Sequence, residues 1–247
     1  MRFMNQLTLS FTIDPLYTFD NLVIHTGNRS AVSAILKFYC EGTRPFPHLF
    51  LYGPHGTGKT HILRALTEFL KRSIQSESKA TNYIIIDSSQ TGPLESHELS
   101  TKLSDDFGAL AAVIIDDVHI IAANYSPGLL NLSNKLTTRG IPLILSSLLP
   151  PNELFAEDLH LRSRVCSGLV FGLEPPEDPV RILILDKMAR DRNVRLPREV
   201  SLYLVNHKSR SLPDLSEILD RLDAHSLDTG KRITLSLVKS LEREGLV

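Results

Sequence analysis

The sequence predicts an α/β fold: a parallel five-stranded sheet flanked by helices, followed by a small all-helical lid. Three observations carry that expectation. Five short, continuous apolar runs punctuate the first two-thirds of the chain, as strands buried on both faces of a parallel sheet require. A glycine-rich turn joins the first run to a helical pattern. Beyond residue 174 strand patterns give way to helical ones.

The elements follow in order. Residues 1–13 alternate apolar and polar before Asp14-Pro15 and read as an extended tail. From Asn28 to Glu41, Ala31, Ile35 and Phe38 recur at helical spacing, and Gly42 is a plausible stop. His48 to Tyr52 is the first strand candidate and Thr60 to Lys71 the helix after the turn. Tyr83 to Asp87, Ala112 to Asp116, Pro142 to Ser146 and Gly168 to Leu173 are the remaining strands, with room between them for crossover helices. Glu174-Pro175-Pro176 forbids a continuing helix and marks a hinge. Helices are expected over Val180–Arg192, Arg198–His207, Leu212–Leu227 and Leu235–Glu244. The expected domains are the tail 1–13, an α/β domain 14–173 and a helical lid 174–247.

Composition excludes several classes. The 247 residues carry a formal net charge of −1, so no global field draws the chain to nucleic acid or acidic membranes. Trp is absent and aromatics are 6%, which leaves no evident stacking platform for single strands. The longest apolar run, Ala109 to Ile115, is far below the roughly 18 residues of a membrane span. The N-terminus lacks the pattern of a signal peptide. Cys40 and Cys166, far apart, build neither a disulfide framework nor a metal site and are expected as small core hydrophobes in a cytoplasmic protein.

The chemistry-bearing motif is Gly53-Pro54-His55-Gly56-Thr57-Gly58-Lys59-Thr60, which fits G-x-x-x-x-G-K-[ST] between a strand and a helix. Backbone N–H groups of such a loop wrap phosphates, and side chains larger than glycine would block the approach. Lys59 is placed to neutralise β- and γ-phosphates, and the Thr60 hydroxyl to coordinate Mg²⁺. Val113-Ile114-Ile115-Asp116-Asp117 puts a carboxylate at the end of a central strand, where open α/β sheets keep their sites. Asp116 is the expected Mg²⁺ ligand, through water. Asp117 either polarises an attacking water or is a surface carboxylate or helix cap. Ser146 and Ser147 end the next strand. They either sense phosphate there or simply terminate the strand before Pro150-Pro151. Arg164, in Leu161-Arg162-Ser163-Arg164, is by spacing alone better read as a solvated ion-pair partner than as an arginine finger.

Together these residues resemble the DnaA branch of AAA+ ATPases. The likeness runs from Tyr17-Thr18-Phe19-Asp20-Asn21-Leu22-Val23 and Gly27-Asn28-Arg29, through Asp116-Asp117 and Pro150 to Leu154, to Arg164 and Glu174-Pro175-Pro176-Glu177. It implies a P-loop AAA+ fold with a helical lid, ATP or ADP with Mg²⁺, and adenine covered by the segment holding Phe19, Asn21 and Leu22. It also implies that Arg164 is an arginine finger, and it allows self-association through AAA+ interfaces. The lid ending, Leu219 to Asp223 through Lys231 to Thr234, is similar to Hda-like regulators, which lack a DNA-binding domain. Neither an N-terminal oligomerisation domain nor a sequence-specific DNA-binding domain is therefore expected. In that light Gln6-Leu7-Thr8-Leu9-Ser10-Phe11 is similar to a clamp-binding hexapeptide, with Gln6 fixing register and Leu7, Leu9 and Phe11 as apolar anchors.

Two positions depart from the family. Pro213 stands where the resemblance places a lid arginine, with Arg210 as a neighbouring substitute, and Leu148 stands where initiators often have Asp. Both leave intrinsic ATP turnover open. The resemblance implies a regulator that docks on the sliding clamp and promotes ATP hydrolysis by DnaA. The alternatives are a non-catalytic, nucleotide-bound adaptor and a DnaA-like initiator or helicase-loading factor.

Overall fold

The computed structural model describes residues 17–40, 46–76, 82–87 and 110–245. The tail with Gln6, Leu7, Leu9 and Phe11 lies outside the described residues. The first helix, α1 (Arg29–Ile35), buries Ala31, Val32 and Ile35 and runs on as a π-helical turn over Leu36–Cys40. The strands are β1 (His48–Tyr52), β2 (Asn82–Asp87), β3 (Leu110–Asp116), β4 (Leu143–Ser147) and β5 (Leu169–Gly172). The helices are α2 (Lys59–Ser76), α3 (His119–Arg139), α4 (Pro151–Leu154), α5 (Leu159–Cys166), α6 (Asp178–Asp191), α7 (Arg198–His207), α8 (Leu212–Thr229) and α9 (Leu235–Arg243).

The sheet has five strands in the order β2-β3-β4-β1-β5, and every neighbouring pair is parallel. Its apolar runs are divided by the two-residue period of a strand. Phe50, Val113, Ile115, Leu143 and Leu145 face a core shared with α3 and α5. Leu49, Leu51, Ala112, Ile114 and Ile144 face the opposite core, built with α1 and α2. Both faces are thus covered, which is why polar residues such as His48, Asp116, Ser146 and Ser147 stand only at the ends of these strands. β1 lies between β4 and β5, so the loop after β1 and the ends of β3 and β4 meet at one edge of the sheet.

A third core belongs to α6–α9 alone, with Leu185, Leu204, Leu215, Leu219 and Val238 at its centre. Local signals set the boundaries. Ser211 caps α8 by accepting from Asp214 N, and Thr234 caps α9 by accepting from Leu237 N. Gly140, with φ 69°, ends α3 in the left-handed conformation that favours glycine. The segment Glu174–Glu177 has no regular secondary structure and is held at both ends. Glu174 N donates to Gly27 O at 3.1 Å, and the buried Arg181 donates from Nη2 to Pro176 O at 2.7 Å.

One expectation is corrected. Cys166 is exposed, because it ends α5 and is turned away from the buried Leu161 and Val165. Among the described residues no helix is long and apolar enough to cross a membrane.

Candidate functional site

The loop after β1 is shaped for phosphate. Gly53, Gly56 and Gly58 have φ of 147°, 76° and 92°, values that side-chain-bearing residues rarely adopt. A Cβ on Gly53 would lie 2.3 Å from Leu173 O, so the loop can pass β5 only as glycine. Thr57 Oγ1 donates to Pro54 O at 2.9 Å and braces the turn.

Lys59 opens α2 and is only 6% exposed. Its ammonium donates to Gly53 O at 2.7 Å and to Pro54 O at 3.0 Å. Burial pushes its pKa down, while Asp117 and Asp116 pull it back up. A buried ammonium whose hydrogen bonds go to two neutral carbonyls is only partly compensated by carboxylates at longer range, and an anion in the cleft would complete the compensation. The loop forms one wall of a cleft of about 380 Å³, with the segment Tyr17–Asn28 and helices α6 and α8 as the others.

The acidic end of the site is built at the tips of β3 and β4. Asp116 is buried, and Ser146 Oγ donates to its Oδ1. The same hydroxyl accepts from Asp117 N at 2.9 Å, and Ser146 O accepts from Val118 N at 2.8 Å. Ser146 therefore spends its hydrogen-bonding capacity on orienting the acidic pair. It is fully buried and does not line the cleft, so the structure gives it a positioning place rather than the phosphate-facing one expected.

Asp117 does line the cleft, on a backbone with φ 53° that turns the chain sharply out of β3. Burial first, then the neighbouring Asp116, push its carboxyl pKa up, against His119, Lys59 and His55. His119 Nδ1 stands 3.9 Å from Asp117 Oδ1, and burial pushes the imidazole pKa down. Thr60 lines the cleft beside Lys59, whereas Asp116 is buried and does not line it, so a carboxylate role there would run through an intervening water, as expected.

The segment before α1 contributes unevenly. Asn21 and Leu22 line the cleft, as expected, but Phe19 packs against the core of α1 and α2 instead. Tyr17 lines the cleft in its place. Its ring meets His61 edge-on at 5.1 Å, and the Arg64 guanidinium lies 4.8 Å from the ring centre.

The lid corrects a second expectation. Arg210 is 75% exposed, pairs with Asp178 at 3.3 Å and does not line the cleft. The cations that do are Lys187 and Arg192, neither of them flagged by any motif. Lys187 Nζ donates to Asn21 Oδ1 at 2.9 Å and joins the lid to the segment before α1. Arg192 donates to Ser216 Oγ and Asp220 Oδ1, both at 2.8 Å, and to Met188 O at 3.2 Å. Ser216 is three residues beyond Pro213 on α8, so this guanidinium sits about one helical turn from the position expected to carry a charge. The only sequence signal is the four-residue step from Met188, which keeps Arg192 near one face of α6.

Arg164 lies elsewhere. It is exposed on α5, does not line its own chain's cleft, and pairs with no carboxylate among the described residues. The expected solvated ion pair is thus absent there.

Comparison with known proteins places this geometry among relatives. The Bacterial DnaA ATPase domain family model matches residues 13–172, and the Hda lid domain model matches residues 178–241. The chromosomal replication initiator protein DnaA of Thermoanaerobacter sp. (strain X514) is 31% identical over 247 residues, covering 96% of this chain and 54% of that protein. The chain thus spans about half the length of the curated relatives it matches. Domain III of the Thermotoga maritima replication initiation protein DnaA superposes with a TM-score of 0.79 at 28% identity, covering 94% of this chain and 97% of that one. AMPPCP-bound DnaA from Aquifex aeolicus, at 19% identity and a TM-score of 0.69, shares the fold over 94% of this chain and 71% of its own.

Proposed function

We infer that this chain, which belongs to the bacterial DnaA ATPase domain family, is a AAA+ nucleotide-binding regulator of DNA replication initiation, acting in the cytoplasm. It holds ATP or ADP with Mg²⁺ in the cleft. It docks on the sliding clamp through Gln6, Leu7, Leu9 and Phe11 and promotes ATP hydrolysis by a DnaA-type initiator. The match of its last helices to the Hda lid supports this branch of the family.

The residues present fit a nucleotide. The three positive-φ glycines leave backbone N–H groups approachable, and the buried Lys59 ammonium hydrogen-bonds to two neutral carbonyls, Gly53 O and Pro54 O. Mg²⁺ takes one or two protein oxygens and completes its shell with phosphate and water. Thr60 would hold it directly and Asp116 through water, with Ser146 fixing one carboxylate oxygen of Asp116. When bound, the nucleotide supplies the phosphoanhydride bond and the ion its polarisation. Lys59 neutralises phosphate charge, Asp117 orients a water at the cleft wall, and Arg192 adds positive charge from the lid.

The observation that carries the regulatory reading is the placement of Arg164. An exposed guanidinium, off its own cleft and without a carboxylate partner among the described residues, suits a phosphate chain on a neighbouring molecule. The same surface is available to a second copy of the chain. The test is hydrolysis of DnaA-bound ATP with and without DNA-loaded clamp. Wild type accelerates turnover only with the clamp, Arg164→Ala loses the effect, and alanine at Gln6, Leu9 and Phe11 together abolishes clamp retention. Full stimulation by Arg164→Ala would remove that residue from the mechanism.

A second reading, the non-catalytic adaptor, is favoured by Pro213. Its ring rests against Gly56 where a lid arginine was expected, and Arg210 is engaged by Asp178. Chromatography of nucleotide released on denaturation separates the two: retained ADP with no acceleration of DnaA turnover supports the adaptor.

A further inference from the structure

We propose that a groove on the outer flank of the lid is a docking site for a short acidic segment of a partner protein that carries aliphatic side chains. The groove encloses about 570 Å³ between α6 and the connection from α6 to α7. Its apolar surface comes from Leu183, Val194, Leu196 and Pro197. Val194 forms a buried floor, whereas Leu183 is 53% exposed, which is costly for an aliphatic side chain that no described residue covers.

Charge selects the occupant. Arg190 and Arg195 line the groove, are exposed, and pair with no carboxylate among the described residues. Among the described residues Arg190 donates from Nε alone, to Asp186 O at 3.3 Å, which leaves the forked end of its exposed guanidinium for a ligand. The one acid lining the groove, Asp186, accepts from Ser201 Oγ. Two guanidinium forks without a carboxylate among the described residues, beside an aliphatic floor, match carboxylates spaced by Leu- or Ile-like residues. A nucleic-acid strand fits less well, because no aromatic ring lines the groove for base stacking.

The site is separate from the nucleotide cleft. α6 turns Ile184, Lys187 and Asp191 to the cleft and Leu183, Asp186 and Arg190 to the groove. The proposal therefore stands whatever the cleft binds.

The test is fluorescence anisotropy on the full chain with three labelled probes: a nine-residue peptide alternating Glu and Leu, its Lys/Leu counterpart, and a 20-nucleotide thymidine strand. The acidic peptide is expected to bind with Kd on the order of 10–100 μM, as a small charged groove allows, and to weaken with salt. The Lys/Leu peptide does not bind. Arg190→Glu with Arg195→Glu lowers affinity at least about 10-fold, and Leu183→Ala lowers it about 3-fold, with the thermal midpoint unchanged. Absence of acidic-peptide binding, equal binding by the double variant, or tighter binding of the thymidine strand through the same arginines would overturn the proposal.

Discussion

A Cβ built on Gly56 would lie 2.9 Å from Pro213 Cδ, so the phosphate loop and the lid touch through a glycine and a proline. Gly56 also has φ of 76°. Gly56→Ala therefore strains the backbone by about 1–2 kcal/mol and wedges α8 away from the loop. Calorimetric affinity for ADP is expected to fall at least about 10-fold. Unchanged affinity would mean that the loop–lid contact has no part in holding the ligand.

The lid charge can be moved as well as removed. Arg192→Ala takes away a cation of the cleft wall and its bonds to Ser216 and Asp220. ATP affinity is expected to drop about 5–50-fold, a range set by one charge-assisted contact. Pro213→Arg is the converse: α8 tolerates the change because the position is in its first turn. It should raise ATP affinity several-fold and partly rescue Arg192→Ala. Identical isotherms for wild type and Pro213→Arg would show that this end of α8 is out of reach of the phosphates.

Ser146→Ala tests the orientation of the acidic pair. It leaves Asp116 without a donor and Asp117 N without an acceptor in a fully buried place, at a cost of about 1–3 kcal/mol in urea unfolding. Nucleotide affinity should become less dependent on Mg²⁺ while the Mg²⁺-free affinity changes little. A loss of Mg²⁺-free binding of the same size would instead give Ser146 a direct ligand contact.

His48 gives the fold a pH dependence. It opens β1, is buried, and its Nε2 lies 2.7 Å from Ser133 Oγ. Burial first and the Arg164 charge second lower its pKa to about 4 from 6.5. Between those values the unfolded chain binds more protons than the folded one. Stability therefore falls as pH drops from 6.5 towards 4 and is level above that window, by about 3 kcal/mol in all. His25, His61 and His119, also lowered by burial, add in the same direction. Urea unfolding across pH 4.5–7.5 (about 0.5 apart) should show a shallower slope for His48→Gln. Equal slopes would assign the effect to the other three imidazoles.

The strands were legible because each is an unbroken apolar run, and a sheet covered on both faces demands that pattern. Their ends fall within two residues of the expected ones, and α7 spans Arg198–His207 as expected. The phosphate loop was equally plain, since positive φ restricts the residue type at each bend. Less legible was what a polar side chain does once packed. Ser146 and Arg210 looked available for ligand, but each finds a carboxylate brought near by the fold: Asp116 across two strands, Asp178 across the lid. Phe19 was misplaced for a similar reason, because an aromatic beside a cleft and one beneath it look alike in a linear pattern.

What could be read from residue order alone was local: backbone bends that need glycine, apolar periodicity, helix caps, and a lysine one residue into a helix. These follow from sterics and solvation within a few neighbours. The pairing of distant groups was settled by the folded chain: Arg192 with Ser216, Lys187 with Asn21, and Arg164 left without a carboxylate among the described residues. A side chain bonds to whatever lies within about 3 Å, and which groups come that close depends on how α6, α8 and the sheet pack.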